Sequence, residues 1–61
     1  MTDADLDAEL RAVLTRASEQ EARRLAARDR GDWPAAASAE LELAKLYRRH
    51  AELERSRQRV A

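Results

Sequence analysis

Few residues of this 61-residue chain could take part in catalysis. The sequence contains no Cys and one Gly, and it has no Gly-x-Ser-x-Gly turn that would expose a serine nucleophile. A phosphate-binding loop needs several glycines whose backbone N–H groups face the phosphate, and the sequence has no such loop. We therefore predict that the protein is not an enzyme, with no catalytic residues and no cofactor.

Paired carboxylates are the strongest candidates for binding a metal ion. Glu21 and Glu40 would face each other if the chain folded back at its midpoint, and helical bundles hold di-metal centres with such pairs. Those centres also need a Glu-x-x-His sequence, but the residue three positions before His50 is Tyr47. The alternative is an ion pair between Glu40 and Arg24. We favour the ion pair and predict no metal site.

A cluster of arginines makes the C-terminal third of the chain basic, and arginine side chains bind phosphate groups well. The whole chain has zero net charge, and Glu52 and Glu54 lie among the arginines, so the positive field is partly cancelled. No aromatic residues are interleaved to stack on bases. Nucleic-acid binding is therefore the alternative function and not the favoured one. Its phosphate contacts would be Arg48, Arg49, Arg55, Arg57 and Arg59.

Two helices must position all of these residues. Thr2, with Asp5 three residues later, is a capping-box signal for the start of the first helix. Gly31 suits the left-handed position after a helix end, and Asp32 suits the cap of a second helix. Pro34 is well tolerated in a first helical turn but not in a helix interior, so it argues against one continuous helix. We predict a single all-α domain at 1–61, an antiparallel hairpin with helix 1 at about 3–30, a turn at 31–33 and helix 2 at about 33–57.

Blocks of charge favour the antiparallel hairpin independently of the turn signals. Residues 1–10 carry a net charge of −4, residues 11–30 carry +3, residues 31–44 carry −3 and residues 45–61 carry +4. Folding at Gly31 places residue i approximately beside residue 62 − i, so blocks of opposite sign meet. Each exposed ion pair contributes less than about 1 kcal/mol, so charge selects the orientation more than it stabilises the fold.

Helix 2 carries two apolar seams, whereas helix 1 carries one. We predict that the alanine-rich seam of helix 2 packs on helix 1, because small side chains let two helices approach closely. The second seam steps four and three residues, like a coiled coil, and needs another partner. The predicted hairpin core is Leu6, Leu10, Leu14, Leu25, Trp33, Leu41 and Tyr47. The predicted oligomer interface is Ala39, Leu43, Leu46, His50 and Leu53.

Two residues of these seams have alternative interpretations. His50 is a polar residue at an a-type position, where it more often fixes register and oligomeric state than binds a ligand. The alternative is a pH switch, because two protonated His50 side chains would repel each other across a dimer. Trp33, beside the turn, is predicted to cover the closed end of the hairpin, with a partner contact as the alternative.

The size of the chain is the physical reason to expect self-association. A domain of about 60 residues buries only about 60% of its unfolded surface, and without Cys it has no disulfide. Two equal helices around a tight turn, with a polar residue inside an apolar seam, resemble the ROP-type dimeric four-helix bundle, a family of plasmid RNA-binding regulators. The resemblance implies a homodimeric four-helix bundle. None of that family's RNA-contacting positions matches a residue here, so RNA binding stays with the arginine alternative.

These patterns favour a small non-catalytic interaction module that is homodimeric through the second seam. Its charged outer faces would bind another protein, as an accessory or regulatory factor would. A different protein as partner of the second seam is the remaining alternative. No stretch approaches the roughly 18 apolar residues of a membrane-spanning helix, and the first residues are acidic where a secretory signal would be basic. We therefore expect a cytoplasmic protein with no membrane partner.

Overall fold

The computed structural model describes residues 2–60, so the predicted domain at 1–61 extends one residue past the described part at each end. Two helices, α1 (Asp3–Asp29) and α2 (Trp33–Val60), lie side by side as a hairpin that measures 45 × 15 × 12 Å. The described residues contain no strand. The all-α hairpin is therefore confirmed. Helix α1 ends at residue 29 where the prediction was about 30, and α2 continues past 57 to residue 60.

A capping box stabilises the start of α1. The Thr2 hydroxyl accepts a hydrogen bond from the Asp5 N–H at 3.2 Å, and the Asp5 carboxylate accepts one from the Thr2 N–H at 3.3 Å. The first N–H groups of a helix lack intrahelical partners, so these two bonds satisfy donors that would otherwise depend on water. The carboxylates of Asp3 and Asp5 also lie at the positive end of the helix dipole. The predicted start of the helix is confirmed.

The turn between the helices depends on the backbone conformation of Gly31. Its φ of +72° is left-handed, a conformation that costs other residues about 1–2 kcal/mol. The Gly31 N–H donates to the Arg28 carbonyl at 3.0 Å and the Asp32 N–H donates to the Ala27 carbonyl at 2.8 Å, which is the Schellman pattern. The Asp32 carboxylate accepts a hydrogen bond from the Ala35 N–H at 3.2 Å. Asp32 therefore caps α2, as predicted.

Large apolar side chains fill the core in the half of the hairpin that contains the chain ends, which we call the open half. Leu6, Leu10 and Val13 of α1 form a buried cluster with Leu53 of α2, and the partly buried Leu46 packs against it. Full burial of one such side chain stabilises a fold by about 1.5–3 kcal/mol. This cluster is therefore the main source of apolar stabilisation in the hairpin.

The half of the hairpin next to Gly31, which we call the turn half, has a core of small side chains. Ala17 and Ala27 of α1 and Ala36 and Ala39 of α2 are all 5% exposed or less. Alanine side chains allow two helix axes to lie about 8 Å apart, which suits helices joined by so short a turn. The helices are therefore held here by close contact and by the turn more than by large buried side chains.

The seam of α2 that faces α1 is the one predicted to form the oligomer interface, so that prediction was wrong. Ala39, Leu43 and Leu53 are buried inside the single hairpin, and Leu46 and His50 are half-buried there. The physical reason is where the leucines of this seam lie. Leu53 joins the buried cluster of Leu6, Leu10 and Val13 and Leu46 packs against it, and such apolar burial stabilises by about 25 cal/mol per Å².

The predicted hairpin core is confirmed for Leu6 and Leu10 and is wrong for its other members. Leu14 and Leu25 lie about 90° around α1 from the centre of the buried stripe, at roughly 100° per residue, so they flank the contact with α2. Trp33, Leu41 and Tyr47 lie on the side of α2 that does not face α1. Trp33 does not cover the closed end of the hairpin. The exposed fractions are 51% for Leu14, 50% for Leu25, 63% for Trp33, 65% for Leu41 and 54% for Tyr47.

Candidate interaction surface

Glu21, Arg24 and Glu40 form a charged cluster that joins the helices in the turn half. The Arg24 guanidinium pairs with Glu21 on the same helix and lies 4.0 Å from the Glu40 carboxylate on α2. The hydrogen bond to Glu21 is the largest cause that raises the pKa of Arg24 above its ordinary value. The predicted ion pair between Glu40 and Arg24 is confirmed. Within residues 2–60, no three His, Asp or Glu side chains are grouped so as to hold a metal ion.

Carboxylates of α1 hold two members of the arginine cluster. Arg49 lies 2.8 Å from the Glu9 carboxylate and 3.5 Å from that of Glu52. Its hydrogen bond to Glu9 is the largest cause that raises the pKa of Arg49. Arg57 lies 3.3 Å from the Asp7 carboxylate. The acidic start of α1 therefore meets the basic end of α2, as the charge blocks predict.

Three other arginines of the cluster remain available for another contact. Arg48, Arg55 and Arg59 have no carboxylate oxygen within 4.0 Å in the part of the chain that the structure describes. The approximate pairing rule placed Arg55 beside Asp7, but Arg57 makes that contact. A long arginine side chain easily spans this difference of two residues. Of the five arginines predicted to bind phosphate, Arg49 and Arg57 are therefore paired with carboxylates of α1, and the other three have no such pair within residues 2–60.

His50 lies in the inward seam of α2 with Leu46 and Leu53. Its side chain is 30% exposed, and its Nε2 lies 3.8 Å from the Glu54 carboxylate one turn later on the same helix. The predicted place of His50 in an oligomer interface is therefore wrong for this hairpin. The pH switch, which requires two His50 side chains to face each other between subunits, loses its geometric basis.

Three of the large exposed apolar side chains lie on the outward side of α2. Trp33, Leu41 and Tyr47 are each more than half exposed, and exposed alanines lie between them. Successive members of this set are three or four residues apart, so they lie along one side of the helix. We call this line the α2 apolar strip, and it comprises Trp33, Ala37, Leu41, Ala44, Tyr47 and Ala51.

Leu14 and Leu25 of α1 extend the apolar surface beside the strip. Each helix has a buried stripe that faces the other helix. In an antiparallel pair, a residue of α1 and a residue of α2 lie on the same broad face of the hairpin when both are rotated in the same direction from their buried stripes. Glu9 and Arg49 meet on one face in this way. Leu14, Leu25 and Tyr47 are displaced in the other direction, by about 70–100° at roughly 100° per residue, so they share the opposite face.

The face that carries Glu9 and Arg49 is polar, and it has an open groove beside the turn. The groove has a volume of about 320 Å³, and its lining includes Gln20, Arg23 and Ser38 together with alanines of both helices. The two broad faces of the hairpin therefore differ. The exposed Leu14, Leu25 and Tyr47 share one face with the Glu21 and Glu40 carboxylates, whereas Glu9, Arg49 and the groove lie on the other.

The comparisons with known proteins identify no relative. No protein family matches the chain, and no curated protein or solved structure compared with it is similar beyond chance. Neither described helix is both long enough and apolar enough to cross a lipid bilayer.

Both seams of α2 are predicted from the sequence, but with their roles exchanged. The signal that separates them is the number of large aliphatic side chains, which is greater in the inward seam. Leu14 and Leu25 were misplaced for another reason, because the stripe on α1 was drawn too wide. Their angular distance from Leu6, Leu10 and Val13 is the signal that identifies them as surface residues.

Proposed function

We propose that the protein is a small non-catalytic interaction module that acts as a homodimer, with the α2 apolar strip as its contact surface. The exposure of Trp33, Leu41 and Tyr47 on one side of one helix is the observation that carries this proposal. Monomeric proteins rarely leave contiguous apolar patches of more than a few hundred Å² in water unless a partner binds there. Tryptophan and tyrosine are also the residue types that most often dominate binding energy at interfaces.

The small core of a single hairpin supports the same proposal. Of the described residues, the buried apolar side chains larger than alanine are Leu6, Leu10, Val13, Leu43 and Leu53. A domain of this size buries only about 60% of its unfolded surface, which leaves its stability marginal. Covering the strip adds apolar burial at about 25 cal/mol per Å², against the entropic cost of association. Dimerisation would therefore stabilise the folded hairpin.

The distribution of charge along α2 favours a second copy of the chain as the occupant of the strip. A symmetric contact must be self-complementary, because the same surface lies on both sides of it. Residues 31–44 carry −3 and residues 45–61 carry +4, so two α2 helices that run in opposite directions place opposite charges together. The charged faces that remain outside such a dimer would bind another protein, as those of an accessory or regulatory factor do.

Sedimentation equilibrium at several concentrations, with helical circular dichroism at the same concentrations, tests the homodimer. We expect a species of twice the chain mass, which Tyr47→Glu converts to a monomer because it places a charge in the apolar contact. Ser38→Glu is the matched control, since it adds the same charge at an exposed position on the polar side of α2. A wild-type chain that is monomeric at every concentration, or equal dissociation by both variants, would contradict the proposal.

Nucleic-acid binding is a second candidate function, favoured by the arginines of α2 that have no carboxylate partner within residues 2–60. Against it, Arg49 and Arg57 are held in ion pairs with α1. Titration of labelled single-stranded RNA and of duplex DNA, at low and at high salt, distinguishes the two functions. Binding that weakens steeply as salt rises would indicate phosphate contacts. Absence of binding at low salt would remove this candidate.

A further inference from the structure

We infer that two copies pair through antiparallel α2 helices, with Ala44 of each copy at the two-fold axis. This inference rests on the proposed homodimer and specifies its direction and register. Its first support is the spacing of Ala37, Ala44 and Ala51, which recur every seven residues on the outward side of α2 and are all exposed. A seven-residue repeat keeps side chains in line along two helices that cross at about 20°.

The register follows from matching small side chains with small ones. If Ala44 faces Ala44 of the second copy in an antiparallel pair, Ala37 faces Ala51 of the second copy. Alanine opposite alanine lets the helix axes approach to about 8 Å. The same alignment places Leu41 level with Tyr47 of the second copy. These side chains are 65% and 54% exposed in the hairpin, and in the pair they lie at the same level on either side of the alanine line, each next to the second copy.

Charge determines the direction of the pair. In the antiparallel alignment, Arg48 lies level with Glu40 of the second copy, whereas a parallel alignment places Arg48 level with Arg48. Within the described residues, Arg48 has no carboxylate oxygen within 4.0 Å. The Glu40 side chain is 58% exposed and lies 4.0 Å from Arg24, which leaves one side of its carboxylate open to a second cation. Like charges that face each other weaken association, so the antiparallel direction is favoured.

Trp33 provides a third contact that differs between the two directions. The antiparallel alignment places Trp33 level with Arg55 of the second copy. The indole is 63% exposed, and Arg55 has no carboxylate oxygen within 4.0 Å in the described part of the chain. A guanidinium over an indole ring is a favourable cation–π arrangement. A parallel pair would instead bring the two arginine-rich ends of α2 together, where their charges repel.

Cysteine cross-linking tests both the direction and the register, and the absence of natural cysteine simplifies the experiment. A disulfide requires Cα atoms no more than about 7 Å apart. On mild oxidation, we expect Ala44→Cys to form a covalent dimer by itself. Ala37→Cys and Ala51→Cys should form one only when the two variants are mixed. Ser38→Cys, on the polar side of α2, is the control and should form none.

The mass of each variant is first measured under reducing conditions, so that failed association is not mistaken for a different register. Cross-linking of Ala37→Cys with itself would show parallel helices and overturn the inferred direction. A dimer that forms in solution without a cross-link in any strip variant would show that the copies meet elsewhere. That result overturns the inference and the assigned surface but leaves homodimerisation standing. A wild-type chain that is monomeric at every concentration would overturn the homodimer itself.

Discussion

The two halves of the hairpin are built from the same two helices but are stabilised in different ways. In the open half, Leu6, Leu10 and Leu53 fill the space between the helices. In the turn half, alanines such as Ala27 and Ala36 occupy that space, and the hydrogen-bonded turn ties the helices together. Most of the large buried side chains therefore lie far from the turn, where no chain connection holds the helices, and small side chains fill the space near the turn.

Arg24 shows how polar the interior of the turn half is. It lies between Ala17 and Ala27 on the buried side of α1, and its guanidinium reaches the carboxylates of Glu21 and Glu40. A long arginine side chain covers apolar surface with its methylene groups while its charge stays near water. The large apolar side chains of this half face outward instead. The turn half therefore leaves Leu25, Trp33 and Leu41 exposed, whereas Leu6, Leu10 and Leu53 of the open half are buried.

Removing a leucine from the open half should have the largest effect. Leu10→Ala should lower the free energy of unfolding by about 2–5 kcal/mol, because the side chain is only 5% exposed and its loss leaves a cavity. Leu14→Ala is the matched control on the same helix, with a side chain 51% exposed, and should cost less than about 1 kcal/mol. Urea unfolding at one fixed protein concentration measures both. Equal losses would show that the core has been assigned wrongly.

Overfilling the turn half should have the next largest effect. Ala27 is 1% exposed, so Ala27→Leu forces the helices apart and should lower the free energy of unfolding by about 1–3 kcal/mol. Ala22→Leu, at an exposed position of α1, is the control and should change that free energy by no more than about 0.5 kcal/mol. Thermal unfolding at a fixed concentration compares the two variants. A higher Tm for Ala27→Leu would mean that the alanine core contains unfilled space.

Straining the turn tests whether the connection stabilises the turn half. Gly31→Ala should lower the free energy of unfolding by about 1 kcal/mol, because a φ of +72° is unfavourable for alanine. Among residues 2–60, no heavy atom beyond Gly31 and its two chain neighbours lies within 4 Å of the added Cβ, so the loss reports backbone conformation. Gly31→Asn should cost less, since asparagine tolerates this conformation better. Urea unfolding measures both variants, and a Gly31→Ala chain as stable as the wild type would refute the role of the turn.

Removing an ion pair of the open half should have the smallest effect. Glu9→Gln should lower the free energy of unfolding by about 0.5 kcal/mol at low salt, since its pair with Arg49 is partly exposed. Glu19→Gln is the control, because Glu19 is exposed and has no ion pair within residues 2–60. Urea unfolding at low salt and at about 1 M salt should show the difference between the variants disappear. A difference that persists at high salt would mean that Glu9 does not act through its charge.

Much of the fold could be predicted because its signals are local. The Thr2 and Asp5 capping box, Gly31 and the Asp32 cap each act within a few residues, through hydrogen bonds or limits on φ. The contact between Glu40 and Arg24 could also be predicted, since charge patterning and the turn position indicate which residues of the two helices lie level.

The candidate surface could not be predicted in the same way. Leu43 and Tyr47 both belong to apolar seams of α2, and helix propensity and periodicity are satisfied whichever seam faces α1. The choice between them depends on how much apolar area each seam buries against Leu6, Leu10 and Val13. That quantity belongs to the pair of helices and not to either helix alone.

Local signals in the amino-acid sequence are sufficient to predict two helices, the start of α1, the position of the turn and the antiparallel orientation of the helices. These properties follow from capping, backbone conformation and the sign of charge along the chain. The rotation of α2 about its own axis, and with it the division into core and surface residues, depends on how the two helices pack together. Rotating α2 leaves every hydrogen bond within the helix intact, so only side-chain burial between the helices distinguishes one rotation from another.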